Sequence, residues 1–434
     1  MTVIPLSRLL ELESTHTVCF DRHGEEVTWQ QFKASVARIS TALAGKDGRY
    51  WAIDVPDAGE FACALYGCWT AGKTPVLAPK HMLHGCAEYD GVIGAGFGTR
   101  ADELKDPIID ANSDFVLFTS GSTGEPARIQ RSIHNVDAEL DVLESLFGDE
   151  IGDGRIFATV SHEHVYGLLF RVLWPLVTRR AFATFNLEYP ENLLSDVSSN
   201  AALVTSPALL KRLGHLDEAD ACRWSIVFSS GGLLPDYAAH DAMRFLGTCP
   251  VEVLGSTETS GVAWRRQDKR GAAEAWHTLP EVRVRQDGDG FLEVSSPFMG
   301  LSSWHRMGDK VRLESNRSFE LLGRGDHIVK IEEKRVSLAE IEQRAIELPD
   351  VTDAAATALE HGTRQYVGLV LQLSDSGKQA LEKHGRKETG ARLRVALGDK
   401  LDPVAVPKKL RYVDVIPVNP QGKRRPDDIR ALFD

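Results

Sequence analysis

An α/β fold in two domains is what this 434-residue sequence predicts, on three observations. Between about Asp114 and Glu258, short apolar runs alternate with Gly/Ser/Pro loops and helical patterns, the rhythm of β-α units around mainly parallel sheets. Past Gly290 the texture changes to short alternating strands, an amphipathic helix and a charged helical stretch. The charge changes with it: the acidic excess lies in residues 1–323, whereas 324–434 are slightly basic. We therefore expect a large N-terminal domain over 1–322, built of β-α units around mainly parallel sheets. A compact, small α+β C-terminal domain over 323–434 follows, divided from it near Gly323–Asp326.

The elements justify this in order. "FVLF", Phe115–Phe118, is four apolar residues between Asp114 and a turn cluster, hence a buried strand. It runs into "TSGSTG", Thr119–Gly124, where glycines permit tight turns and close approach while hydroxyls offer donors. Phosphate oxygens suit that combination, yet a flexible surface turn has the same composition, and no Gly-Lys-Ser/Thr follows to make it a Walker loop. "AALVTS" leads through Pro207 into "ALLKRLG", and "WSIVFSSGG" through Pro235 into "DYAAHDAMRFLG". "VEVLGSTETSG" follows. Ligands in open α/β sheets bind beyond the carboxyl ends of strands. The three loops at such ends favour the phosphate reading. In the tail, "FLEVSS" and "FELLG" read as strands. "VSLAEIEQRAIELPD" reads as a helix with Leu338, Ile341 and Ile346 on one face, and "YVGLVLQL" and "LRYVDVI" as strands flanking the helical region 376–401.

Composition narrows the class. A net charge of −12 argues against a general nucleic-acid or anionic-membrane binder. None of the six cysteines forms a Cys-x-x-Cys pair, so free thiols of a reducing cytosol are expected. The start carries acidic residues without an apolar core, which predicts no signal peptide, and "YGLLFRVLWPLV" is too short and is broken by Arg171. A cytoplasmic protein without a membrane span is expected.

Five motifs in order carry a resemblance: "FTSGSTGEPARI", "HEHVYGLL", "SSGGLLP" with "VLGSTETSG", "RMGDKVRL" with "LLGRGDHIVKIEEKRVSLAEIE", and "NPQGKRR". From about residue 114 to the C-terminus the chain resembles the AMP-forming adenylating superfamily. "GSTETSGVAWRR" with "KIEEKR" looks most like the short ligases of aryl-polyene and xanthomonadin-type pathways, which load hydroxybenzoate-like acids onto acyl carrier protein. The resemblance implies ATP and Mg²⁺ as cofactors, with a small aryl carboxylic acid and a carrier-protein (or CoA) phosphopantetheine as partners. It assigns Thr119, Ser120, Gly121, Ser122, Thr123 and Gly124 to the β/γ-phosphates. Ser230, Gly231 and Gly232 go to adenine, Ser256 to the nucleotide, and Thr257 to the α-phosphate. Glu258 would hold Mg²⁺, with a helix cap as its plain alternative. Asp309 and Arg324 would take the ribose. His164, Tyr166, Gly167, Gly255 and Ser260 would border the acyl pocket. Lys423 would reach the reacting carboxylate, and Asp326 would be the hinge.

Departures stand out. Ala127-Arg128 replaces the usual Lys-Gly after the phosphate loop, making Arg128 a candidate substitute cation. Met307 replaces a common Thr, and Glu333 a common Gly. An acid-CoA ligase and a catalytically lapsed nucleotide-binding regulator are the competing readings. Ala127 favours the lapsed one, and Glu258, Asp309 and Lys423 speak against it.

Overall fold

The computed structural model describes residues 2–78, 88–98, 108–119, 127–194, 200–216, 222–268, 275–300, 303–325, 328–331, 334–361, 364–418 and 424–434. The chain divides into two compact units. The first comprises residues 1–284, 294–305 and 316–318; the second comprises 285–293, 306–315 and 319–434.

The first unit holds two sheets. The smaller runs in the order Gly91–Gly94, Tyr50–Asp54, Thr74–Leu77, Asp114–Thr119, Ala127–Ser132. Its first four strands are parallel. Asp114–Thr119 then pairs antiparallel with Ala127–Ser132, from Asp114↔Ser132 to Thr119↔Ala127. This corrects one expectation: the segment 120–126 joins two antiparallel strands, and a helix follows only after the second. That helix, Ile133–Ile151, opens on a capping box in which the Ser132 hydroxyl accepts from Asn135 N and the Asn135 side chain accepts from Ser132 N.

In the larger sheet, Val251–Ser256, Ile226–Ser229, Ala201–Thr205, Arg155–Ala158, Phe182–Asn186 and Thr17–Phe20 are successive parallel neighbours. The β-α expectation holds here: Ile226–Ser229 passes through helix Asp236–Leu246 to the adjacent parallel strand Val251–Ser256. The helix Ala58–Thr70 packs on strands of both sheets, and so it is apolar all round and nearly every residue is buried. Its N-terminus is capped by the Asp57 carboxylate, which accepts from Gly59 and Glu60 N.

Helix Ile133–Ile151 carries acids on its buried face. Glu144 accepts from the Arg180 guanidinium at 2.6 and 3.0 Å and from the Trp174 indole at 2.9 Å. A buried charge must be paired in this way to be tolerated. Asp137 accepts from Leu6 N at 2.9 Å, and burial pushes its carboxyl up to about 6. The folded value lies above the unfolded one, so the unfolded state ionises first. Stability attributable to Asp137 is thus full below pH 4 and is lost as pH rises to 6. Asp137→Asn keeps an acceptor for Leu6 N and removes the titration. We expect it to raise stability at pH 7 by about 1 kcal/mol, discounted for partial exposure, with no gain at pH 4. Denaturant melts at the two pH values check this, and equal or lower stability at pH 7 would contradict it.

In the second unit Asp309–Leu313 pairs antiparallel with Phe319–Arg324, and Ile328–Ile331 with Lys334–Ser337. Helix Leu338–Ile346 buries Leu338, Ile341 and Ala345, and Ile346 lies at the edge of that core. A three-stranded sheet follows in the order Val351–His361, Arg364–Leu373, Lys409–Val413. Between its last two strands runs helix Asp375–Gly398, bent where Gly385 adopts φ 74°. Among the described residues, no helix is long and apolar enough to cross a membrane. Cys19, Cys63, Cys68, Cys222 and Cys249 are free thiols.

Candidate functional site

Four parallel neighbours of the larger sheet end side by side. Their carboxyl ends carry residues 159–164, Ser206, Ser230–Gly232 and Thr257–Thr259. Such an edge is where open α/β sheets bind ligands, because loops there can diverge and leave a crevice. The three sequence-predicted stretches that are described in this unit therefore meet at one edge of one sheet.

After Ile226–Ser229, the Ser230 hydroxyl donates to the Val253 carbonyl at 2.8 Å, tying this loop to the neighbouring strand. Gly231 follows at φ +93°, a left-handed conformation that favours glycine, with open space where a Cβ would stand. Gly231 and Gly232 are exposed, leaving bare backbone that a flat ring could approach. The loop is held from behind as well: buried Glu252 accepts from Leu234 N at 3.1 Å and from Arg265 and Gln267.

After Val251–Ser256 the chain reverses into the antiparallel strand Ser260–Arg265, with a register shift at Gly255. Ser256 and Thr259 close this turn. Their hydroxyls lie 3.0 Å apart, Ser256 N donates to Thr259 Oγ1, and Thr259 N donates to Ser256 Oγ. Thr257 and Glu258, both half-buried, form the tip. No helix begins at Glu258, so the helix-cap alternative for it falls away. Ser260 is a non-glycine residue at φ 60°, a strained conformation that its surroundings must enforce. It is buried, and its hydroxyl donates to the Glu139 carboxylate.

His164, Tyr166 and Gly167 sit past the end of Arg155–Ala158. His164 is the residue before the short helix Val165–Gly167, which continues as a π-helical stretch Leu168–Leu173. π-Segments are rare and recur at functional sites. A Cβ on Gly167 would stand 2.0 Å from the Ser161 carbonyl, so only glycine lets these two backbone segments meet. The Tyr166 ring lies 4.9 Å from Phe170, and Phe170 lies 5.0 Å from Phe228, forming an aromatic wall beneath the loops. His162 differs from His164. It is buried, its Nε2 is 2.9 Å from the Val55 carbonyl, and burial followed by nearby Arg171 lowers its pKa to about 3. A neutral core histidine results. Arg171 itself is buried, donating to the carbonyls of Val160, Ala183 and Thr184, and burial brings its pKa down to about 10.

Thr119 ends its strand beside Ala127. Ser120, Gly121, Ser122, Thr123 and Gly124 lie outside the described residues, as do Asp326, Glu333 and Lys423. Arg128 is exposed and seated with its guanidinium 5.0 Å from the centre of the Tyr50 ring. That ring gives the cation a partner. We accordingly expect Arg128→Ala to change ATP affinity less than about threefold, within the range of an exposed interaction. A larger loss by calorimetry would return Arg128 to the phosphates.

In the second unit Asp309 and Arg324 face each other across a ladder, Arg324 Nη1 4.0 Å from Asp309 Oδ2. Asp309 is buried and Arg324 is half exposed. Gly308 makes room for the guanidinium, since a Cβ there would lie 2.9 Å from Nη2. Met307 is a buried core side chain. Arg424, next to Lys423 in sequence, pairs with Asp353 at 2.5 Å and is not a solvated charge.

Sequence reasoning missed two residues. Arg131, on the strand leaving residue 126, is buried and donates to the Thr257 carbonyl at 2.8 Å and to the Phe298 carbonyl. Glu139 accepts from Gly261 N at 2.8 Å as well as from Ser260. Burial pushes the Glu139 carboxyl up and lowers Arg131, while Glu139 and Glu258 act to hold Arg131 charged. One signal was available: Glu139 lies three residues beyond Val136, on the apolar stripe of its helix.

Comparison with known proteins bears on the family and the fold. Residues 98–286 match the family described as AMP-binding enzyme. Malpinin synthetase of Mortierella alpina is 31% identical over 207 residues, which cover 47% of this chain and 2% of that protein. The chain thus spans only a small fraction of such large synthetases. The L-allo-isoleucine:holo-[CmaA peptidyl-carrier protein] ligase of Pseudomonas savastanoi pv. glycinea is 24% identical, covering 95% of this chain and 80% of that one. The ATP-bound structure of MatB from Rhodopseudomonas palustris superposes with a TM-score of 0.81 at 18% identity, covering 98% of both chains. Residues 98–286 thus match the AMP-binding enzyme family, and the chain shares the fold of the ATP-bound MatB structure.

Proposed function

We propose that this chain activates a small aryl carboxylic acid with ATP and passes the acyl group to a phosphopantetheine thiol of a carrier protein. In the first step a carboxylate oxygen attacks the α-phosphorus, the α–β bond breaks, and pyrophosphate leaves. In the second the thiol sulfur attacks the acyl carbon, AMP leaves, and the thiol proton passes to solvent. The observation that carries the reading is the turn Ser256–Ser260. It presents Thr257 and Glu258 beside Ser230–Gly232 at the carboxyl ends of adjacent strands, within a segment matching AMP-binding enzymes.

Two anionic reactants must meet, so fixed donors and cations do most of the work. Thr257 would donate to the α-phosphate, and Ser230–Gly232 would receive adenine. Asp309 would accept from the ribose hydroxyls, with Arg324 beside it. Residues 119–124 would cradle the outer phosphates. Glu258 suits Mg²⁺: it is a single half-buried carboxylate at a turn tip, and no cluster of three ligating groups occurs among the described residues. Mg²⁺ prefers one or two carboxylates completed by phosphate oxygens and water; bound there, it would neutralise charge on the phosphates. Lys423 would bring its cation to the reacting carboxylate, and Asp326 would serve as the hinge.

The aryl acid follows from the resemblance of "GSTETSGVAWRR" and from the Tyr166–Phe170–Phe228 wall. The carrier-protein acceptor follows from the likeness to a ligase named for a holo peptidyl-carrier protein. Of the basic residues near the tail, Lys408 and Lys409 are exposed, while Arg411 is engaged by the carbonyls of Leu432 and Phe433. The test is incubation with ATP, a panel of hydroxybenzoic and alkanoic acids, and either holo carrier protein or CoA, read by mass spectrometry. Aryl-loaded carrier is expected. Faster CoA acylation would reassign the acceptor, and no acylation of either would reject the proposal.

A further inference from the structure

The turn that bears Thr257 and Glu258 is pinned from outside on both flanks by two buried ionisable residues of other elements. On one flank, Arg131 of strand Ala127–Ser132 donates to the Thr257 carbonyl at 2.8 Å and to the Phe298 carbonyl. On the other, Glu139 of helix Ile133–Ile151 accepts from Ser260 Oγ and from Gly261 N. A Cβ at position 261 would stand 2.8 Å from Glu139 Oε1, so glycine there is what admits the carboxylate to the backbone. Ser260 is held at φ 60° between these anchors. Core filling alone does not require this pattern. An apolar residue at either position would fill volume without desolvating a charge, whereas both charges here terminate on the backbone of one turn.

We propose that Arg131, together with Glu139, is a positioning residue for the reaction, fixing the backbone of residues 257–261 so that Thr257 and Glu258 meet Mg·ATP in a set geometry. This rests on the roles of Thr257 and Glu258 proposed above. Arg131 also links the turn to the strand Ala127–Ser132 of the smaller sheet. Fixed donors act without reorganisation when charge develops, and that is lost if the turn moves by a fraction of an ångström.

The test uses the full-length chain and its Arg131→Met, Arg131→Lys and Ser260→Gly variants. Three quantities are read: thermal melting, binding of a non-hydrolysable ATP analogue across a Mg²⁺ series, and acid-dependent AMP formation. In Arg131→Met the Mg²⁺ concentration for half-maximal nucleotide binding should rise about fivefold or more, and kcat should fall about tenfold or more, as for loss of a charged hydrogen bond. KM for the acid should stay within about twofold, the signature of an interaction used in the transition state. Arg131→Lys, which keeps the charge, should recover part of both. Should Arg131→Met fail to fold, Ser260→Gly carries the test, since glycine accepts the left-handed φ while losing the hydroxyl contact to Glu139 and keeping that from Gly261 N. A smaller shift in the same direction is then expected. A folded Arg131→Met or Ser260→Gly with wild-type Mg²⁺ dependence and kcat overturns the proposal. If the wild-type chain binds the analogue but forms no AMP with any acid, the ligase reading falls instead, and the Mg²⁺ shift alone decides the positioning role.

Discussion

Lys423→Ala should reduce adenylate formation about a hundred- to a thousandfold, the scale of removing one fixed charge-stabilising group, while leaving ATP affinity within about threefold. The reason lies in when the charge is needed. Pentavalent phosphorus gathers negative charge as the carboxylate attacks, and a lysine aimed at that oxygen acts on the transition state more than on bound ATP. Arg424, the residue after Lys423 in sequence, is anchored to Asp353 and the Ala354 carbonyl. Stopped-flow or quenched measurement of acyl-AMP, with ATP affinity by calorimetry, separates the two effects. Adenylate formation within a few-fold of wild type would mean that the charge comes from elsewhere.

Glu258→Gln should lower AMP formation about a hundredfold at millimolar Mg²⁺, with partial recovery at higher Mg²⁺ and an unchanged melting temperature. The substitution keeps the shape of the side chain and removes one unit of negative charge. The hydrogen bonds that hold the turn come from Ser256, Thr259, Arg131 and Glu139; Glu258 acts on Arg131 through charge alone and after Glu139, so folding depends little on that carboxylate. The paired readout matters: a collapse in melting temperature would show that Glu258 is structural, and activity retained at ordinary Mg²⁺ would show that the metal is held without it.

The sequence made much of this legible, because the relevant signals are local. Apolar runs ending in Gly/Ser loops marked Asp114–Thr119, Ala201–Thr205, Ile226–Ser229 and Val251–Ser256 as strands, and hydroxyl-rich turns marked what lies at their ends. What stayed hidden depends on pairing between distant segments. The antiparallel partner Ala127–Ser132 was invisible because "ARIQRS" lacks an apolar run and its place is set by the ladder to Asp114–Thr119. Arg171 interrupts an apolar stretch yet is buried, since the carbonyls that receive it belong to Val160 and the strand Phe182–Asn186. Arg131 reads as one more surface base until Thr257, 126 positions away, is placed beside it. Arg128, which its sequence position made a candidate cation for the phosphates, lies over the Tyr50 ring, a neighbour that no local pattern announces. Sequence spacing supplied residue types and order; which charges reach the turn at Thr257–Glu258 is a property of the sheets.

The most direct measurement is acid-dependent exchange of labelled pyrophosphate into ATP, which reports reversible acyl-adenylate formation whatever the thiol acceptor. The account predicts exchange that requires Mg²⁺ and a small aryl carboxylic acid and that vanishes in Lys423→Ala. ATP binding without exchange for any acid, or turnover to ADP and phosphate in place of AMP and pyrophosphate, would contradict it.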